Sequence, residues 1–515
     1  RDLRMSRGLG DVYKRQILGG GNERSLILVM MLSIEQRIWQ QATLHPDKLA
    51  VKSGKDTATY SELVSRIIAA KVFFQSLPDY TAGNTVILAA GKQIEFLYAY
   101  FGAHLAGLIV TPIDVETNPT RFEYIADVIK PFCIIGFDKQ ETSLTKISLK
   151  EFKEMPVDYS KQSTDFPDNE EVADILFTTG TTGVPKGVPL TYKNEAAAAL
   201  NINAYIGNTS DDIELLALPV SHSFGLGRVR CCLSNGQTLH LLGSFVNVKR
   251  IYRTIEEENI TGFTMVPASW KFLQKMSGDQ LGHYGKQLRY IEMGSAYISE
   301  DDKRHLAHLL PTTRITMHYG LTEASRSAFM EFHADSDKLS TVGKASPNTD
   351  IQIFNDQGQV LPCGEEGEIC IKGDHVTKGY LNTNPTSSFY SEGYFRTGDS
   401  GTIDSDGYIS IKARIKELIN VGGKKVAPTE VDEQILKIAG VKDCACVGTR
   451  DPEGILGEVV KAFVVKGNNE LTFDFITKQL SGKLEAYKIP VIYEWIDCIP
   501  KTSNGKIQRN LLKND

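Results

Sequence analysis

Residues 175–194 read ILFTTGTTGVPKGVPLTYKN: an apolar run, then a loop with four threonines and three glycines between 178 and 187, and one lysine near its end. Glycine lets backbone N–H groups turn toward an anion, and a concave ring of such amides binds phosphate. Gly180 and Gly183 supply that freedom, the hydroxyls of Thr178, Thr179, Thr181 and Thr182 add donors, and Lys186 adds a point charge. A surface turn needs one or two residues of this kind, not a run of them. A Walker-type loop is excluded by counting. It requires Gly-x-x-x-x-Gly-Lys-Ser/Thr, whereas Pro185 stands five after Gly180 and Gly187 follows Lys186. A Gly-x-Gly-x-x-Gly fingerprint does not fit either. The stretch predicts a nucleotide phosphate loop of another kind.

Around this loop the chain alternates between helical and strand-like segments. TYSELVSRIIAAKVFFQSL has a Thr59/Ser61 start and apolar residues at Leu63, Ile67, Ala70 and Phe74, a helical period. Short buried strands follow at TVILAAG, LIVTPI and FCIIGF, with helical QIEFLYAYFGAHLAG and RFEYIADVIK between them. The rhythm continues through DIELLALPVSH, QTLHLLG, ITGFTMVP, LRYIEMGSA and TRITMHYGLTEAS. Such alternation predicts an α/β fold with a parallel sheet covered on both faces. Around 340–412 short strands with Gly, Asp and Asn turns predict a small antiparallel sheet or β-barrel-like part. After Arg414 a new α/β pattern of about 100 residues predicts a separate small domain. The expected organisation is a leader over 1–30, a large domain over 31–413 and a small mobile C-terminal domain over 414–515.

A chain of 515 residues exceeds what one core usually supports. Its net charge of −6 argues against a general nucleic-acid binder. The eight cysteines form no C-x-x-C pair and have no histidine partners at metal spacing, which predicts a reduced, cytoplasmic protein. Residues 26–32, LILVMML, are too short an apolar run to span a membrane, and no other segment approaches that length, so no integral membrane segment is expected. Residues 1–16 read as adaptor-derived sequence, and the natural start is expected at Met30 or Met31.

Further segments share an order with the loop: LPVSHSFGLG (218–227), MGSA (293–296), HYGLTEAS (318–325), YFRTGDSG (394–401), KARIKELINVGGKKVAPTEVD (412–432) and PKTSNGKIQR (500–509). In order and spacing they resemble the core motifs of the adenylate-forming superfamily, which includes acyl- and aryl-CoA synthetases, amino-acid adenylation domains and beetle luciferase. The resemblance covers nearly everything after residue 34. It implies ATP, Mg²⁺ and CoA as reaction partners of a small carboxylic acid. The acid is joined to the α-phosphate of ATP, pyrophosphate leaves, and the acyl group passes to the thiol of CoA. By the same resemblance Glu323 holds Mg²⁺, with Thr322 beside it; Tyr319 and Gly320 lie at the adenine, and Asp399 with Arg414 at the ribose. Lys506 is the catalytic lysine, and Lys416 is the hinge about which the small domain turns. Gly422 and Gly423 let pantetheine pass, His222 gates the acid pocket, and Phe224, Gly294 and Ala296 line it. Thr179, Ala413 and Asn420 depart from the commoner residues at their positions, and Asn420 weakens a light-emitting reading.

Alternatives to a CoA ligase are an acyl-AMP ligase loading the phosphopantetheine of a carrier protein in trans, and a stand-alone amino-acid adenylating enzyme. SHSFGLG offers no carboxylate to pair a substrate ammonium, which disfavours amino acids. A non-catalytic nucleotide-binding scaffold would lack Lys506 or Glu323, and both are present. The small and apolar residues of the pocket motif favour an uncharged acyl or aryl tail, with fatty acids ahead of aromatic ones, although Arg228 and Arg230 lie close by.

Overall fold

Two sheets of parallel centre organise most of the chain in the computed structural model, which describes residues 31–158, 164–178, 185–468, 470–502 and 505–513. The first has six strands, ordered Thr145–Ile147, Cys133–Ile135, Thr85–Ala90, Ile109–Asp114, Val172–Thr178 and Lys186–Thr191. The second has nine, and its parallel centre runs Leu49–Ser53, Thr238–Leu241, Ile213–Leu216, Gly262–Met265, Tyr290–Met293, Arg314–Tyr319, with antiparallel strands at both edges. Each strand expected from the alternating pattern is present.

The helices Ile94–Leu105 and Ser223–Ser234 belong to one hydrophobic core with strands of both sheets, including Val86 and Val110 of the first and Leu239 and Leu241 of the second. Every residue of Ile94–Leu105 is buried. A helix enclosed on all sides has no solvent face to make polar, which explains why its sequence is apolar except at Glu95 and His104. Ser223–Ser234 is as deeply enclosed yet carries Arg228 and Arg230, so both charges require buried partners. Arg228 pairs with Glu214 and Glu292; Arg230 pairs with Asp174 and Glu195.

The quoted stretch forms an antiparallel hairpin. Val172–Thr178 pairs with Lys186–Thr191, and Thr178 stands opposite Lys186 at its mouth. A strand rather than a helix therefore begins at Lys186. Thr179, Gly180, Thr181, Thr182 and Gly183 lie outside the described residues, as does the expected leader. Directly after the hairpin, Thr191 and Asn194 form a reciprocal capping box that starts the helix Tyr192–Ile206.

The expected antiparallel part is a four-stranded sheet, Asp350–Phe354, Gly367–Lys372, Phe395–Ile403 and Ile409–Arg414. A 3-10 turn, Ile415–Glu417, leads from Arg414 into a small α/β unit with its own core, which includes Val431, Ile435, Val460 and Leu480. Among the described residues no helix is long and apolar enough to cross a membrane.

Candidate active site

The strands Phe395–Ile403 and Ile409–Arg414 place Asp399 directly opposite Arg414. The Arg414 Nε lies 2.9 Å from the Asp399 Oδ1, and the Tyr319 hydroxyl donates to Oδ2 at 2.7 Å. Burial raises the Asp399 pKa although Arg414 opposes the shift. Three residues from three strands thus fix one carboxylate, and Tyr319 sits at the C-terminal end of its parallel strand, where α/β sheets bind ligands. Gly320 follows where the chain doubles back: a Cβ there would fall 2.4 Å from the Arg326 backbone nitrogen.

Glu323 is nearly buried, and the Tyr380 hydroxyl donates to its Oε1 at 2.7 Å. The Lys186 ammonium lies 4.7 Å from the centre of the same tyrosine ring, a cation–π contact. The segment carrying Tyr380 is anchored at both sides: Leu381 N–H donates to Gly187 O at 2.8 Å, and Thr377 N–H to Glu323 O at 2.8 Å. Phosphate hairpin and Glu323 loop are therefore linked through Tyr380, a residue the sequence reading did not single out. Thr322, one residue before, faces Ser223 with the two hydroxyl oxygens 3.5 Å apart.

Lys506 arrives from the small unit. Lys501 and Ile507 bridge across a tight turn, Gly505 takes a left-handed φ of 81°, and a Cβ on Gly505 would touch Ala268 of the large part at 3.2 Å. The lysine is exposed along its stem, yet burial around its ammonium and then Arg414 lower its pKa, against Asp399, Glu417 and Glu323, which raise it. Lys416 lies in the Ile415–Glu417 turn with its side chain exposed. Its neighbour Glu417 is 3.6 Å from Arg509, which also pairs with Asp432. Gly422 and Gly423, at φ 57° and 84°, form the two-residue turn between Ile419–Val421 and Lys424–Val426. A hairpin turn with both central residues left-handed favours glycine by itself.

On the other side of Thr322 a cavity opens, lined by Thr322, Ser223 and Gly227 and also by Glu195, Arg230 and Arg326. The sequence reading missed the polar character of this wall. Glu195 reads as one charge in the alanine-rich KNEAAAALNINAYI, and only the near-absence of other charges there signals a helix buried on most sides. His222, half-buried, precedes the Ser223–Ser234 helix, and burial lowers its pKa against the opposing charge of Asp114, with Arg121 adding to the shift, which favours the neutral imidazole. Phe224 and Gly294 meet across His318, whose ring packs edge-on against Phe224 at 4.6 Å and fills the space over Gly294. Ala296 is half-buried in the loop after Tyr290–Met293.

The AMP-binding enzyme profile matches residues 38–381, and that of the AMP-binding enzyme C-terminal domain matches residues 430–506. A 2-succinylbenzoate–CoA ligase of Staphylococcus aureus strain MRSA252 is 30% identical, with 92% of this chain and 99% of the relative aligned. The solved O-succinylbenzoate coenzyme A synthetase (MenE) from Bacillus subtilis, in complex with ATP and magnesium ion, superposes with a TM-score of 0.83 at 25% identity, covering 93% of this chain and 99% of that one. ATP-bound MatB from Rhodopseudomonas palustris gives the same TM-score and identity over 93% and 98%. Both halves of the architecture, from hairpin loop to Lys506, are thus matched, and this chain belongs to the AMP-binding enzyme family.

Proposed function

We propose that the protein is an AMP-forming acid–thiol ligase that converts a small carboxylic acid, ATP and CoA to an acyl-CoA, AMP and pyrophosphate. The observation that carries this reading is the carboxylate of Asp399 held by Arg414 and Tyr319 in the same chain as the Lys186–Tyr380–Glu323 contacts, with the Lys506 segment of the C-terminal unit meeting the large part at Gly505 and Ala268. An acid carboxylate and a triphosphate repel each other, so their reaction needs fixed positive charge and oriented donors. Lys506 lies where it would bridge the attacking carboxylate oxygen and the α-phosphate as the α–β phosphoanhydride bond breaks. Lys186 and the Thr178 hydroxyl would hold the departing phosphates, while Asp399 would accept from the ribose hydroxyls. The neutral His222 and Thr322 would face the acid.

Glu323 fits a magnesium ion held mainly by phosphates, since Mg²⁺ commonly takes one or two protein carboxylates and leaves its other positions to phosphate and water. Bound there, the ion would neutralise phosphate charge. In the second half-reaction the CoA sulfur would attack the acyl carbonyl and displace AMP, after a rotation about Lys416 that brings Gly422 and Gly423 to the cleft. The relatives' names point to CoA as acceptor, and nothing in them points to a carrier protein. A cytoplasmic location agrees with the cysteine pattern. The test is pyrophosphate release by the purified protein over a panel of acids, with acyl-CoA measured in parallel. Pyrophosphate without thioester would leave an adenylating enzyme; no release with any acid would remove the ligase reading.

A further inference from the structure

The cavity beside Thr322 is small, about 390 Å³ even with its open mouth counted. Its length is limited by Arg326. A Cβ on Gly227 would fall 2.4 Å from Arg326 Nη1, so the guanidinium occupies the space which a larger residue at 227 would fill. That guanidinium is committed elsewhere. Its Nε donates to Glu292 at 3.1 Å, Nη1 to Ser223 O and Ser325 Oγ at 3.1 Å each, and Nη2 to Phe224 O at 2.9 Å. It closes the pocket and holds the start of the Ser223–Ser234 helix, with little left to offer an anionic substrate.

Glu195 is different. It is 3% exposed, lines the cavity, and its Oε1 accepts no hydrogen bond among the described residues. That oxygen lies 2.9 Å from Arg230 Nη2, but the same guanidinium also pairs with Asp174 and donates to the Tyr100 hydroxyl. Behind Asp174 stands His104, 3.2 Å away, whose other ring nitrogen is 2.8 Å from Glu35. Burial opposes charge on His104, but Asp174 and Glu35 push its pKa up to about 10, so it is a cation. The connected cluster holds two cations, Arg230 and His104, against three carboxyl groups, Glu35, Asp174 and Glu195. One carboxyl is in surplus, and Glu195 is the member at the cavity wall. Burial pushes its carboxyl well above the usual range, although the Arg230 charge opposes the shift, and Asp174 adds to it.

We propose that Glu195 determines substrate choice, and that the preferred acid is a short one whose tail carries an amino or hydroxyl group able to donate to Glu195. An apolar tail would leave the Glu195 oxygen with no hydrogen-bond donor, and a second carboxylate would meet the surplus acid while the nearby cations are already matched. The donor lies away from the reacting carboxylate, so this substrate is not an α-amino acid. The inference rests on the ligase reading above.

The experiment measures kcat/KM for pyrophosphate release over two matched sets. One is γ-aminobutyrate, γ-hydroxybutyrate, valerate and glutarate; the other is meta-amino-, meta-hydroxy- and meta-methylbenzoate with isophthalate. 2-Succinylbenzoate serves as the reference acid. The expected result is a lead of about tenfold or more for a donor-bearing acid over its methyl counterpart in at least one set, since sites built to bind a donor reject analogues lacking it. Glu195→Gln should keep the hydroxyl preference and lose the amino preference; Glu195→Leu should abolish both. The wild-type ratios decide the matter even if a variant fails to fold. A lead for methyl or carboxylate acids in both sets, for 2-succinylbenzoate over every donor acid, or unchanged ratios in Glu195→Leu would overturn the inference while leaving the ligase reading intact. Release with none of these acids would overturn both.

Discussion

Lys506 carries a clear expectation because its contribution is a single oriented charge. Lys506→Ala should lower acid-dependent pyrophosphate release by about two to three orders of magnitude, the scale of removing one preorganised donor. Thioester formation from supplied acyl-AMP should persist, since that step would use another face of the small unit. Stopped assays of the two half-reactions check this, and equal losses in both would refute the assignment. Lys506, Glu323 and Asp399 were singled out in the sequence because PKTSNGKIQR, HYGLTEAS and YFRTGDSG resemble the family's motifs in order and spacing. Tyr380 and Glu195 were not. A tyrosine in KGYLNTNP looks like loop filler until the Lys186 ammonium is seen over its ring and its hydroxyl on Glu323. The worth of Glu195 depends on Asp174 and Arg230, which lie on a different strand and helix and reach it only through the fold.

At the level of elements, the Ile415–Glu417 turn is a short link between two bodies with separate cores. Proline fixes φ and also restricts the residue before it, so Lys416→Pro should stiffen this link. Pyrophosphate release should remain within a fewfold of wild type, whereas acyl-CoA formation should fall by tenfold or more. Both rates falling together with an unchanged thermal melt would mean that the pivot lies elsewhere. The strands were readable from alternating apolar runs, and so was the change to short antiparallel strands after residue 340, but their order in two sheets was not. The sequence could not reveal that the phosphate loop closes an antiparallel hairpin, because pairing partner and direction depend on where neighbouring strands lie rather than on local composition.

For the molecule as a whole, buried neutral histidines set an acid limit. His375 is buried with its Nε2 at 2.9 Å from the Ser327 Oγ, and burial lowers its pKa to about 4. The unfolded chain binds that proton near pH 6.5, so the stability held by the neutral ring is complete above about 6.5 and is lost as pH falls toward about 4. The full span corresponds to about 3 kcal/mol at most. His375→Gln should therefore lessen the drop in melting temperature between pH 7.5 and pH 4.5, measured by calorimetry on both proteins. An equal drop in both would assign the acid sensitivity to other groups.

The buried ion cluster also constrains how this enzyme could acquire a new diet. Replacing Arg230 alone would leave Asp174 an enclosed charge with one of its two cationic partners gone, a loss of about 3–5 kcal/mol by analogy with broken buried pairs. A lineage could drift there only through paired changes, with a poorly folded intermediate between them. Glu195, as the surplus acid, is exempt from that constraint, and its neutral replacements leave Arg230 and Asp174 matched. Within this wall, innovation by single steps has one open door, and it stands at the position that faces the substrate.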